Sequence, residues 1–435
     1  MHTAAAPLIR ALSRRDLIGI LVNTMIASGM MAAPAKVFAL AQGWSFAVLG
    51  VSALLIAPLI LSFAELGSRF SGTGGPYLYA RAALPGAMAF SVGWLLWISQ
   101  AFATATLANL LVTYLAGFVP ALSSGLPRAA VLIALGVTVT AIALRGIRQS
   151  AMTSNVFAVL KLGFVVGFIV AGVAFIQPGH LEVRTPPPGP VTFAQAILIY
   201  IYAYLGFERT GVLAGEARDP KADVPVALLV SLAVATLAYA LVLLVCVGVL
   251  DDPTATDRPL AEVGRQLFGE VGAAVISAGA ILVILGTVLV ATVAMGRLLL
   301  ALAEAGQVPA VLGTVHRRWR TPHPALLISG ALAFGFALIS DLLTALTFST
   351  ATRVLCYILC CLALWRLSRR PDAPTPQFRL PARGVVALVS AAIFTVVLVV
   401  GATKEVPALA GVLAVGLGLF ALTRWRARVR APAPV

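Results

Sequence analysis

Long apolar runs alternate along the whole chain with short polar or Pro/Gly-rich connections. They fall at residues 17–41, 44–65, 86–116, 128–144, 152–176, 192–215, 226–250, 271–300, 323–341, 343–366, 385–401 and 406–423. A membrane-crossing helix needs about 20 such residues, so the pattern predicts an all-α polytopic membrane protein with about 12 transmembrane helices. The connections are too short to hold a soluble domain. The longest polar one, Ala301 to Pro322, carries Glu304, Gly306, His316, Arg317, Arg318 and Arg320 and predicts a short surface helix. Pro186-Pro187-Pro188 marks a connection on the opposite side.

Composition narrows the class. Of 435 residues 60% are apolar and only 11% charged, against about 25% charged in soluble domains. An ordinary soluble enzyme, a disordered chain and a secreted disulfide scaffold are excluded. Cys246, Cys356, Cys360 and Cys361 all lie in apolar runs and read as small buried thiols. None of the four histidines lies in the interior of a span, no HExxH is present, and no metal, cofactor or catalytic residue is implied. Arg10, Arg14 and Arg15 ahead of an apolar stretch imitate a signal peptide, but Asn23, Thr24 and Ser28 interrupt that stretch and more spans follow, so it reads as a first helix that stays.

The formal charge of +15 has its own meaning once the connections are sorted by side. With basic residues near the ends of spans counted with the adjoining connection, alternate segments hold 22 Lys or Arg on one side and 6 on the other, and Lys161, Arg209 and Arg353 remain deeper inside spans. The positive-inside rule then puts both termini in the cytoplasm, in a multi-pass cell (plasma or inner) membrane protein. The basic surplus records orientation in the lipid bilayer, not a nucleic-acid partner.

Two spans read poorly as continuous helices. The first contains Asn23-Thr24-Met25-Ile26-Ala27-Ser28-Gly29, followed by Pro34; the sixth contains Tyr204-Leu205-Gly206-Phe207-Glu208-Arg209-Thr210-Gly211. A small polar cluster of this kind can serve helix packing alone. The two lie five spans apart, however, as the first helices of two inverted five-span repeats would. The domain plan is then a cytoplasmic segment 1–16, a first repeat 17–176, a second repeat 192–366, accessory helices 385–423 and a basic cytoplasmic tail 424–435. Where a helix unwinds in a membrane, one half ends in free carbonyls and the next begins with free N–H groups. Free N–H groups at a positive dipole end suit a carboxylate and free carbonyls suit an ammonium, so two facing interruptions can hold a zwitterion. An amino acid is the simplest substrate with that pattern.

At these residues the chain resembles the amino acid–polyamine–organocation transporters, whose fold is the LeuT-type five-plus-five inverted repeat. Ala27-Ser28-Gly29-Met30-Met31-Ala32-Ala33-Pro34 is similar to that family's G-S/T-G-I-F-x-x-P. Glu65-Leu66-Gly67-Ser68-Arg69-Phe70 with Gly74-Gly75-Pro76-Tyr77 is similar to its first cytoplasmic loop, and Tyr204 to Glu208 with Gly215-Glu216 and Asp219-Pro220-Lys221 to its sixth span and exit. The likeness continues through Arg297, Gly306, Pro309, His316 and Thr321-Pro322-His323, over nearly the first 330 residues.

The resemblance implies that the N–H groups of Ser28, Gly29 and Met30 take the substrate carboxylate. The carbonyls of Met25, Tyr202 and Leu205 would take the ammonium, and Ile26, Tyr202 and Phe207 would set side-chain selectivity. Ala27 stands where the family usually has Gly, and its methyl group narrows the cradle toward small or slim substrates. Lys161 lies deep in the fifth span, where a cation is costly and snorkelling is the bland alternative. Asn155 to Lys161 fits an Asn-x-x-x-x-x-Lys pattern in which some proton-coupled relatives place a lysine for a sodium ion, so a proton is expected as the coupling ion and sodium is not. Glu208 is implied to gate or couple, or else it is a structural charge satisfied by neighbours such as Arg353. Arg209 is unusual at its position; pointing into the pocket it would favour an acidic side chain, and adjacent helix residues diverge by about 100°, so Glu208 and Arg209 cannot face the same way. Glu65 and Arg69, four apart, read as an interfacial ion pair worth well under ~1 kcal/mol, or within the resemblance as part of a cytoplasmic gate.

The expected function is a permease moving amino acids or related amines by alternating access, a symporter with protons, with an exchanger (antiporter) as the alternative. Against a major-facilitator-type carrier, the chain has no G-x-x-x-D-x-x-G-R loop after span two, and against a lipid-acting membrane enzyme it has no cluster of acids, histidines or serines near one interface. A sensor that binds without transporting is distinguished from a carrier by flux.

Overall fold

The computed structural model describes residues 13–26, 28–70, 75–145, 150–208, 218–319 and 321–430, and within them the chain forms helices and no β-strand. Ala27, Gly74, Arg209 and the Gly215-Glu216 pair lie outside the described residues. The first apolar run is divided: α1 spans Arg14–Met25 and α2 spans Ser28–Ala41. Ser13 opens α1 with a capping box, its hydroxyl and the Asp16 carboxylate satisfying each other's backbone N–H groups. The Ser13 hydroxyl, 2.7 Å from Asp16 Oδ2, and then the Ser13 N–H donate to the Asp16 carboxylate and hold it below the usual carboxylate range. At 1.5 Å per residue α1 and α2 are each roughly 20 Å long, too short to cross a hydrocarbon layer of about 30 Å alone.

Then follow α3 (Ser45–Arg69), α4 (Pro76–Ala83), α5 (Gly86–Leu115), α6 (Gly125–Arg145), α7 (Ser150–Val173) and α8, which stops after 15 residues (Pro190–Tyr204). The remainder is α9 (Pro220–Val249), α10 (Pro259–Glu304), α11 (His323–Ile339), α12 (Leu342–Arg369), α13 (Arg383–Gly401) and α14 (Val406–Arg430). Among the described residues eight helical runs are long and apolar enough to cross a membrane, one of them joining α2 to α3. Shorter apolar helices accompany them in α8, α11 and the later part of α7.

Three local features differ from the apolar pattern. Among the described residues between Glu304 and His323 the helical structure is a 3-10 turn, Ala310–Gly313, where a surface helix was expected; beyond it the His316 ring stacks on Trp319 and His323 at centroid distances of 4.7 and 4.3 Å. The eighth run begins earlier than expected, because α10 carries a leading segment, 259–267, that turns into the span at Phe268 and Gly269. Gly269 has φ 65, a conformation open to glycine at little cost. The eight-residue α4, with Pro76 in its first turn, lies in a connection that the apolar pattern left unstructured.

The bundle centres on α5 and α12, the most enclosed of the long helices, while α14 lies at the edge. A helix apolar around its whole circumference belongs in such an interior. The polar positions of α5 turn inward and pair across helices: Trp97 Nε1 donates to Ser329 Oγ at 2.9 Å, and the Ser99 and Ser349 hydroxyls each donate to the other's backbone carbonyl at 2.8 and 2.9 Å. These bonds pin α5 to α11 and α12.

Glu65 and Arg69 are buried, which corrects the expectation of a weakly contributing interfacial pair. Arg69 Nη2 lies 2.6 Å from Glu65 Oε1, with side-chain exposures of 2% and 0%. The cause is the connection between α12 and α13, which folds back over the end of α3. Leu380 N–H donates to Glu65 Oε2 at 2.9 Å, Arg69 Nη1 donates to the Pro374 carbonyl at 2.8 Å, and Phe378 N–H donates to Ser68 Oγ at 3.2 Å. Arg383 Nη1 stands 3.7 Å from Glu65 Oε1. Removing one partner of such a buried pair leaves the other charge uncompensated, at a cost of about 3–5 kcal/mol. Glu65→Ala is therefore expected to lower the unfolding temperature of the detergent-purified protein by several degrees, and Arg383→Ala, on a half-exposed partner, by less; equal or negligible shifts would contradict the buried-anchor reading.

Candidate substrate site at the paired helix interruptions

Helix α1 ends at Met25, Ile26 leaves helical geometry at φ −73 and ψ 76, and α2 starts at Ser28. Helix α8 ends at Tyr204, Leu205 is extended at φ −59 and ψ 147, and Gly206 takes φ 115. The two interruptions lie against each other. A Cβ on Gly29 would fall 2.5 Å from the Ala203 Cα, and one on Gly206 would fall 3.2 Å from the Thr24 methyl. The start of α2 thus rests on the end of α8, and the α8 interruption rests on the end of α1.

The backbone groups freed there have identifiable partners. Ile26 N–H donates to the Val22 carbonyl at 2.9 Å, and Lys161 Nζ, from α7, donates to the Asn23 carbonyl at 2.5 Å. The Tyr239 hydroxyl, from α9, reaches both the Met25 carbonyl and, at 2.6 Å, the Ala203 carbonyl. One hydroxyl proton shared between two carbonyls ties the ends of α1 and α8 together. On the other side, Gly206 N–H donates to Glu208 Oε2 at 3.0 Å and Leu205 N–H to the Tyr202 carbonyl at 3.1 Å. Lys161 is buried, and its stem and ammonium face the α1 end rather than an aqueous surface. The side chains of Ser28 and Asn155 lie outside those described.

Glu208 and Arg353 form the second half of the site. Both are buried, and Arg353 Nη1 pairs with Glu208 Oε1. Arg353 also donates from Nε to Ser99 Oγ at 2.8 Å and from Nη2 to Gln100 Oε1 at 3.1 Å. The second Glu208 oxygen accepts from the Tyr357 hydroxyl at 2.9 Å as well as from Gly206. A buried ion pair is tolerable when the remaining donors and acceptors are matched in this way. The network spans α5, α12 and the segment after α8. Against it, Phe207 closes an aromatic cluster, edge-to-face with Phe63 of α3 and tilted against Tyr357, with centroids 5.2 and 5.0 Å away.

Met25, Ile26, Gly29, Met30, Tyr202, Phe207, Lys161, Glu208 and Arg353 are therefore all buried around the two interruptions, with Leu205 half-buried beside them. Phe207 lies wholly within the aromatic cluster. Glu65 and Arg69 sit at the end of α3 beneath the α12–α13 connection. Tyr239, Tyr357, Ser99 and Gln100 were not among the residues expected from the sequence. Tyr357 was findable: it stands four residues after Arg353 and so shares its helix face. Ser99-Gln100 is a polar pair inside an apolar run. Tyr239 gives no such signal, because its partners come from two distant spans.

Residues 12–420 match the family model described as amino acid permease. The methylthioribose transporter of Bacillus subtilis (strain 168) is 28% identical over 410 residues, which cover 89% of this chain and 87% of that protein. The branched-chain amino acid permease BcaP of Lactococcus lactis subsp. cremoris (strain MG1363) is 25% identical over 408 residues, 86% of this chain and 85% of its own. Human cationic amino acid transporter 4 is 26% identical over 412 residues, 87% of this chain and 64% of its own. With the match running nearly end to end over a chain of apolar helices, this protein belongs to the amino acid permease family.

Proposed function

We propose that the protein is a secondary active transporter moving amino acids or related amines across the cytoplasmic membrane by alternating access, coupled to protons, with both termini cytoplasmic. One observation carries this reading: the interruption between α1 and α2 meets the one after α8. Helix-start N–H groups and helix-end carbonyls then gather in one buried place, a pattern of partial charge that suits a zwitterion. The N–H groups of Ser28, Gly29 and Met30 belong to the first turn of α2, which has no intrahelical partners for them. In this reading they take the carboxylate, and the carbonyls of Met25, Tyr202 and Leu205 take the ammonium. The spacing of the two interruptions supports twelve spans in a LeuT-type arrangement, with α1 and α2 as the first span and α8 with the residues that follow as the sixth.

The charged side chains sharpen the substrate class. Arg353 matches Glu208, so neither charge is left to attract a charged substrate side chain, and the site reads as suited to an uncharged one. The names of the branched-chain permease and the methylthioribose transporter fit an uncharged cargo, while that of cationic amino acid transporter 4 fits a charged one, so the substrate class rests on the charge matching at the site. Lys161 fixed on the Asn23 carbonyl supports the reading in which a lysine fills a cation position at the end of α1 and carries the coupling proton.

In proteoliposomes, uptake of a neutral amino acid such as leucine is expected to respond to an inward proton gradient and to be indifferent to replacing sodium with potassium, and Lys161→Ala is expected to lose the gradient response. Sodium-stimulated uptake without a response to pH would overturn the coupling. For selectivity, Arg353→Gln uncovers the Glu208 charge and is expected to shift the leucine-to-lysine uptake ratio toward lysine by about tenfold, the equivalent of about 1.4 kcal/mol. The paired Glu208→Gln and Arg353→Gln variant should restore the neutral preference; an unchanged ranking in the single variant contradicts the charge-matching account.

A further inference from the structure

A second candidate site lies far from the interruptions, where the end of α12 meets the start of α13. A cavity of about 630 Å³ opens there, lined by Trp365, Ser368, Arg369, Arg379, Arg383 and Leu388 among others. Its charge is one-sided. Among the described residues neither Arg369 nor Arg379 has a carboxylate within ion-pair distance, and the one carboxylate near Arg383, that of Glu65, is already held by Arg69 at 2.6 Å. The Arg369 guanidinium lies 4.2 Å from the centroid of the Trp365 ring, which holds its planar fork at the cavity wall. Arg383 is held in turn by the Ser368 carbonyl, at 3.4 Å.

The remaining wall is apolar and open. Val385 and Leu388 line the cavity, and Val385, Leu388 and Val389, at helical spacing on α13, are exposed. In a membrane-embedded chain such a stripe faces acyl chains, and a tryptophan beside arginines at the end of a span marks the headgroup level. The cavity therefore offers guanidinium groups for a phosphate and, continuous with them, an apolar face for a hydrocarbon tail. We propose that it binds an anionic phospholipid, with the headgroup phosphate between Arg369, Arg379 and Arg383 and an acyl chain along Val385 and Leu388. A free inorganic anion would use the guanidinium groups and leave the apolar stripe without a role.

The test uses the full-length protein purified in neutral detergent and its unfolding temperature with added phosphatidylglycerol, phosphatidylcholine or inorganic phosphate. Phosphatidylglycerol is expected to raise the midpoint by several degrees more than phosphatidylcholine, and inorganic phosphate at the same concentration to raise it no more than the zwitterionic lipid does. In an Arg369→Gln, Arg379→Gln variant the concentration of phosphatidylglycerol giving half the shift should rise about thirtyfold, each lost basic group near an anionic surface weakening binding about fivefold. Should that variant fail to fold, Arg379→Gln alone, on the exposed connection, gives the same reading at smaller size. Equal shifts from the two lipids, an unaltered response in the variant, or an equal shift from inorganic phosphate would each overturn the proposal.

Discussion

A helix that stops inside a membrane leaves backbone groups with no water to satisfy them, and the protein must supply every partner from its own side chains or from a ligand. That constraint organises the interior of this permease. At the end of α1 the Asn23 carbonyl is met by Lys161 and the Met25 carbonyl by Tyr239, which reaches the end of α8 with the same hydroxyl. After α8 the Gly206 N–H is met by Glu208. Glycine allows this at position 29 because the interruptions approach too closely there for a Cβ, and at position 206 because its φ of 115 is one that other residues rarely adopt.

Each supplied partner creates a further requirement. Glu208 as a buried anion needs a cation, and Arg353 as that cation needs acceptors for its other N–H groups, found on Ser99 and Gln100. Ser99 is in turn joined to Ser349. A local problem at one helix end is thus passed through α5 to α12, the two helices at the centre of the bundle. Helix α12 carries Arg353 and Tyr357 midway and, at its end, runs into the connection that Glu65 anchors to α3. The later part of α3 bears Phe63, which packs on Phe207 and Tyr357. The candidate site and the anchored connection therefore share two helices.

Much of this was legible in the sequence, for a physical reason. Apolar runs report lipid-length helices directly, and Asn23 to Gly29 and Tyr204 to Gly211 betray the interruptions because small and polar residues are costly in such runs unless the backbone needs them. The charges inside spans also announced themselves, as Lys161, Glu208 and Arg353 did. What the pattern could not supply was pairing between distant spans. Tyr239 looks like an apolar residue of α9 until α1 and α8 are brought to it, and the burial of Glu65 depends on a connection some 310 residues later folding back over it. The bend at Phe268 and Gly269 was likewise hidden, since the residues on both sides are good helix formers.

The central claim is that the two interruptions together form the substrate site. A cryo-EM structure of the protein with its transported amino acid tests it most directly. The account predicts the substrate carboxylate within hydrogen-bonding distance of the N–H groups of Ser28 to Met30, and its ammonium against the carbonyls at the ends of α1 and α8. A substrate bound with both groups away from these interruptions would contradict it.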